Sequence, residues 1–125
     1  MSDQKLSPVE GIKQASNYLR GDIAAEMAQG GDSFAKPTTQ LIKFHGTYQQ
    51  DDREARTARE GGGKSVKSYS FMVRSRIPGG KLTSRQLLAE LDLCDEIGNT
   101  TLRITTRQGL QLHGVLMRDL KRAIR

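Results

Sequence analysis

A single cysteine, Cys94, is all the thiol chemistry this 125-residue chain offers. It excludes an internal disulfide and any all-cysteine metal site built by this chain alone, and it makes a reducing, cytoplasmic setting the expectation. Tryptophan is absent, and only three Phe and three Tyr remain for stacking. Long apolar runs are missing, so no segment reads as a membrane-spanning helix. The opening residues MSDQKLSPVEG lack the apolar stretch of a secretory signal. Acidic residues are in deficit: 14 Asp and Glu against 20 Lys and Arg leave a net charge of +6. A basic chain of one domain's length points to an anionic partner.

What is present is unevenly spread. Leu, Ile, Val and Phe total 27, of which 10 fall in residues 1–68 and 17 in residues 69–125. The first stretch is nearly neutral at +1, and the second carries +5 with eight arginines. Residues 1–68 therefore read as an arm that packs little on the sheet, and 69–125 as the folded part. A core of 57 residues is marginal alone. The expectation is a truncated domain belonging to a longer protein.

Ser7-Pro8-Val9-Glu10 reads as a capping box opening a helix from Pro8 to Leu19, with another turn or two over 22–29. Lys36-Pro37 reads as a turn and QLIKF (40–44) as a short apolar patch. QQDDREARTARE (49–60) has mixed charge at helical spacing, and GGGKS (61–65) reads as a flexible joint. Residues 69–77 alternate as a strand. A second capping box, Thr83 with Gln86, opens a helix over 84–97 that sets Leu87, Leu91 and Cys94 on one face. Strands over 100–107 and 110–116 flank the Gln108-Gly109 turn, and Asp119 is placed to cap a last helix. The order implies an α+β fold, one helix over an antiparallel sheet.

Alternation then sorts the side chains. Phe71, Val73 and Ile77 share a face, as do Leu102 with Ile104 and Leu110, Leu112 with Leu116; these should meet the helix. The opposite face collects Arg74, Arg76, Arg103, Arg107, Gln111 and His113 with Met72 and Val115. One arginine on a solvated sheet face is ordinary. Four with no carboxylate repel one another unless an anion lies between them. Arginine forks bind carboxylate, phosphate and sulfite-like oxyanions in a bidentate manner.

Other motifs carry less. Gly63-Lys64-Ser65 is no phosphate loop, because position 58 is Ala and no strand leads in. His45 and His113 lack companions at metal-ligand spacing, and Cys94 reads as core. Lys43-Phe44-His45 is equally consistent with packing and with a site. A small basic RNA-binding module needs exposed aromatics on the sheet, and the three strands read here offer none.

QLIKFHGTYQQDDRE (40–54), FMVRSRIPGGKLT (71–83) and TLRITTRQGLQLHGVL (101–116) resemble the N-terminal region of assimilatory sulfite reductases, enzymes of the nitrite/sulfite reductase family. SNYLRG (16–21) is similar to the arm of that family. The resemblance implies a ferredoxin-like half-domain over 69–125 preceded by an extended N-terminal arm over 1–68. It implies sirohaem and a 4Fe–4S cluster, six-electron reduction of sulfite to sulfide, and an electron donor that is ferredoxin or an NADPH-dependent flavoprotein subunit. Neither nucleic acid nor membrane is implied as a partner. Arg74 matches a family arginine that contacts the sulfite oxygens. Arg103, Arg107, Gln111 and His113 match residues that hold sirohaem, mainly through its carboxylates. The FHGTYQQDDR stretch would lie near the cofactor edge. The cluster cysteines and the lysines completing the anion site are absent, so they are expected in the remainder of the enzyme, and this chain alone is expected to be inactive. Nitrite reductase is the alternative within the family, against which His113 weighs.

Overall fold

The computed structural model describes residues 6–52 and 67–124; the charged stretch at 53–60 and the joint at 61–65 lie outside them. Three short helices come first: α1 (Pro8–Ala15), α2 (Ile23–Gln29) and α3 (Lys36–Phe44). Then follow β1 (Thr47–Asp51), β2 (Tyr69–Ser75), α4 (Ser84–Ile97), β3 (Leu102–Ile104), β4 (Leu110–Val115) and α5 (Leu120–Ile124). The sheet is antiparallel with order β1-β2-β4-β3. The α+β architecture, with α4 packed on one face, is the expected one.

The apolar face of the sheet makes the core. Phe71 and Val73 of β2 join Leu112 and Val115 of β4, Cys94 and Ile97 of α4, and Met117 and Leu120 beyond the sheet. Strict alternation had set Val115 outward and Leu116 inward. The reverse is found, Val115 being fully buried and Leu116 exposed. The cause is a register shift between Phe71 and Val73 in the β2–β4 ladder, beside Gly114 at φ +74. One extra residue in a strand inverts the phase of everything after it. A Cβ at Gly114 would stand 2.7 Å from the Asn99 Cβ. Gly114→Ala should therefore lower stability by about 1–3 kcal/mol, from the left-handed backbone and that clash together. A denaturant midpoint unchanged from the parent would contradict this account.

The helix α4 begins as its sequence dictates. The Thr83 hydroxyl accepts from the Gln86 N–H at 3.2 Å, and Gln86 accepts in return from the Thr83 N–H at 2.9 Å. Its far end is tied to β4, where the Asn99 N–H donates to the His113 carbonyl at 2.8 Å. Only this end sits on the sheet. Cys94 and Ile97 are buried, with Leu93 packed beside them, whereas Leu87, Leu88 and Leu91 are exposed. The expected Leu87–Leu91–Cys94 stripe thus meets the core only at Cys94. Ile104, expected against the helix, is 76 % exposed on the short edge strand β3.

Residues 1–68 do more than the expected arm. Phe34 and Ile42 belong to the core, Leu41 is also buried, and β1 pairs with β2 along five residues, Thr47↔Val73 to Asp51↔Tyr69. The expectation that this stretch packs little on the sheet does not hold. Of the apolar side chains in QLIKF, Leu41 and Ile42 are buried and only Phe44 is exposed. Lys36-Pro37 opens α3 rather than a turn, since proline's missing N–H costs nothing in a first helical turn. Ala35 cannot cap that helix; Glu26 of α2 does so instead, accepting from the Ala35 N–H at 2.8 Å and from the Thr38 hydroxyl. A carboxylate there also suits the positive end of the helix. The Ser7 side chain makes no capping bond, and Glu10 pairs with Lys13. The first helix stops at Ala15, where Asn17, Tyr18 and Leu19 take positive φ.

Candidate functional site

Where the polar sheet face meets the end of α3, a cavity of about 770 Å³ opens. Three segments line it: Lys43–Gly46 leaving α3, Arg74–Ile77 leaving β2, and the hairpin turn between β3 and β4 with Thr105, Thr106, Arg107 and Gly109; Gln111 completes it. Four of these residues, Lys43, Arg74, Arg76 and Arg107, are cations, and none is a carboxylate.

Local structure explains each arrival. The Gly46 N–H donates to the Lys43 carbonyl at 3.1 Å, and at φ +76 the chain reverses out of α3 into β1. That reversal presents Lys43 and His45 to the cavity. The His45 Nε2–H donates to the Leu19 carbonyl at 2.9 Å, tying the left-handed turn after α1 to the same rim. Arg107 stands in the hairpin turn rather than on a strand, because β3 ends at Ile104. The turn is fixed by the Gly109 N–H donating to the Thr105 hydroxyl at 3.0 Å and the Thr105 N–H donating to the Gly109 carbonyl at 2.8 Å.

Register sets the remaining arginine. Gln111 is the cross-strand partner of Arg74 on β2 and of Arg103 on β3. Directly opposed residues share a face, so Arg74, Gln111 and Arg103 form one row across three strands. Gln111 separates the two cations with a neutral amide. The Gln111 Oε1 accepts from the His113 Nε2–H at 3.3 Å. Burial, and then the positive charge of Arg103, hold the His113 imidazole below its usual pKa. It is neutral at neutral pH.

The five residues singled out from the sequence therefore fall into two groups. Arg74, Arg107 and Gln111 line the cavity; Arg103 and His113 adjoin it through Gln111 and do not line it. Sequence reasoning left Lys43 and His45 evenly balanced between packing and a site, and both line the cavity. It missed Tyr48, whose ring the Arg74 guanidinium overlies at 5.7 Å. The polar face thus carries an aromatic after all, delivered by β1. Cys94 is core, its thiol pKa raised by burial and secondarily by Asp95 and Glu90. Among the described residues no group of three or more His, Cys, Asp or Glu is placed to hold a metal ion, and no helix is long and apolar enough to cross a membrane.

The described lining thus carries charge of one sign on an antiparallel sheet. Residues 64–125 match the family model of the nitrite/sulfite reductase ferredoxin-like half domain, and the chain belongs to that family. It is 51% identical over 122 residues to a NADPH sulfite reductase hemoprotein beta-component of Myxococcus xanthus, covering 95% of this chain and 21% of the relative. It is 45% identical over 124 residues to the same component of Staphylococcus haemolyticus, covering 98% and 22%. A ferredoxin sulfite reductase of Synechococcus elongatus is 44% identical over 122 residues, covering 98% and 19%. The chain thus spans about a fifth of the length of these relatives.

Proposed function

We propose that this chain is the N-terminal part of an assimilatory sulfite reductase, with an arm over 1–68 and a half-domain over 69–125, and that its cationic cavity receives sirohaem carboxylates and the sulfite oxyanion. The observation that carries this reading is a lining that, among the described residues, has four cations and no carboxylate. The residues suit a tetrapyrrole fringed with carboxylates, because arginine forks and such carboxylates match in charge and geometry. Sirohaem and an iron–sulfur cluster, when bound, would relay the six electrons that take sulfite to sulfide. The cluster ligands come from the remainder of the enzyme, so the chain by itself does not turn over. The electrons come from a ferredoxin or an NADPH-dependent flavoprotein subunit, and the setting is cytoplasmic.

Within this chain the roles divide. Arg74 holds the oxyanion and neutralises its charge, which favours loss of its oxygens as water once protons arrive. Arg107, Arg103 and Gln111 hold cofactor carboxylates. His113, kept neutral and tied to Gln111, orients that amide between the two arginines.

The test is cofactor retention. In the full-length enzyme Arg107→Gln should lower haem occupancy by several-fold, since a permanent charge-assisted bond worth about 1.5–3 kcal/mol is lost. Haem content per protein, read from the visible spectrum, measures it. Full occupancy in this variant would remove Arg107 from the cofactor site.

A further inference from the structure

Among the described residues, the arginine assigned to the substrate has no carboxylate beside it in the cavity, and it is exposed. A long side chain in that situation samples many rotamers, and each must be given up when an oxyanion binds. Two contacts fix its place, the first holding the backbone and the second limiting the side chain. The Arg74 N–H donates to the Gly46 carbonyl at 2.9 Å, and the backbones approach so closely that a Cβ on Gly46 would meet the Arg74 carbonyl at 3.4 Å. Two residues beyond the reversal, Tyr48 pairs with Met72 across β1 and β2, which sets its ring on the face that carries Arg74. The guanidinium carbon lies 5.7 Å from the ring centroid, and the ring is half-buried.

An aromatic face does for an arginine what a carboxylate cannot. It attracts the guanidinium through the ring quadrupole, yet it neither cancels the charge nor occupies the N–H donors in the guanidinium plane. We infer that Tyr48 is a positioning residue that holds Arg74 pre-oriented, and fully charged, for the substrate oxyanion. The inference rests on the reading of Arg74 as the sulfite-binding arginine. It explains why a polar strand with little apolar content, TYQQD, brings an aromatic ring to this face.

The experiment titrates sulfite into the haem-loaded full-length enzyme and follows the visible spectrum to obtain a Kd. Tyr48→Leu and Tyr48→Met should each weaken sulfite binding about three- to ten-fold, the range a cation–π contact provides. Tyr48→Phe, which keeps the ring, should bind as the parent does. Carbon monoxide, an uncharged haem ligand, should bind the reduced enzyme equally in all of them, and haem content should not change. A ring that served only to build the sheet would shift both ligands and haem content together, and that result overturns the inference. Parental sulfite affinity in the leucine and methionine variants, beside weakened binding in Arg74→Gln, also overturns it while leaving the Arg74 assignment standing. Parental affinity in Arg74→Gln itself removes both.

Discussion

Arg74→Gln in the full-length reductase is expected to slow sulfite turnover about 10- to 100-fold while the haem spectrum stays largely intact. The proposed partner of this side chain is the substrate, and a charge-assisted contact made in the reacting complex contributes about 1.5–3 kcal/mol. Arg74 stands at the meeting of three things: the row with Gln111 and Arg103, the ring of Tyr48, and the cavity wall. Steady-state rates beside absorbance spectra on one preparation check it. The contrast with Arg107 matters most. If Arg74→Gln lost its haem and Arg107→Gln kept both haem and rate, the two assignments would be reversed.

The largest effect on stability is expected at Phe71. This side chain is fully buried, and its ring meets that of Phe34 edge to face at 5.5 Å between centroids. Phe71→Ala should cost about 3–5 kcal/mol, the transfer term plus the cavity left behind. A domain's whole stability is about 5–15 kcal/mol, so the variant should unfold at a much lower denaturant concentration or fail to accumulate. Phe34→Ala should move in the same direction by a smaller amount, because part of its contact area comes from Phe71. A loss below about 1 kcal/mol at Phe71 would mean that the core is centred elsewhere.

Legibility in the sequence followed local chemistry. Helix α4 could be read whole, from Ser84 to Ile97, because a reciprocal capping box and a following glycine mark its ends. Strands β2 and β4 announced themselves by alternation, and with them Arg74 and Gln111. Strand β1 did not. Its inward residues Thr47 and Gln49 are polar, and Gln49 is accommodated by accepting from the Phe34 N–H at 2.6 Å rather than by apolar packing. No hydropathy pattern reports such a strand. Tyr48 was invisible as a site residue for the same reason, and Lys43 and His45 stayed undecided, since only the pairing of β1 with β2 brings this part of the chain to Arg74. The phase change at Val115 lay beyond reach because a bulge is a property of two strands together. The resemblance in FHGTYQQDDR pointed to this stretch as a whole and named no side chain within it.

One strand of the sheet lies outside the stretch by which the family is recognised. The matched residues begin at 64, whereas β1 ends at Asp51. The span that the family model delimits is therefore shorter than the span that shares one sheet and one core. A chain begun at residue 64 would strip β2 of its neighbour along five residues and subtract Phe34 and Ile42 from the interior. The bared N–H and C=O groups of β2 would then be an open invitation to a second copy, as unpaired edges are in any sheet. Excision at the recognised boundary yields a sticky ribbon; a piece that keeps the whole sheet and core starts upstream of α3.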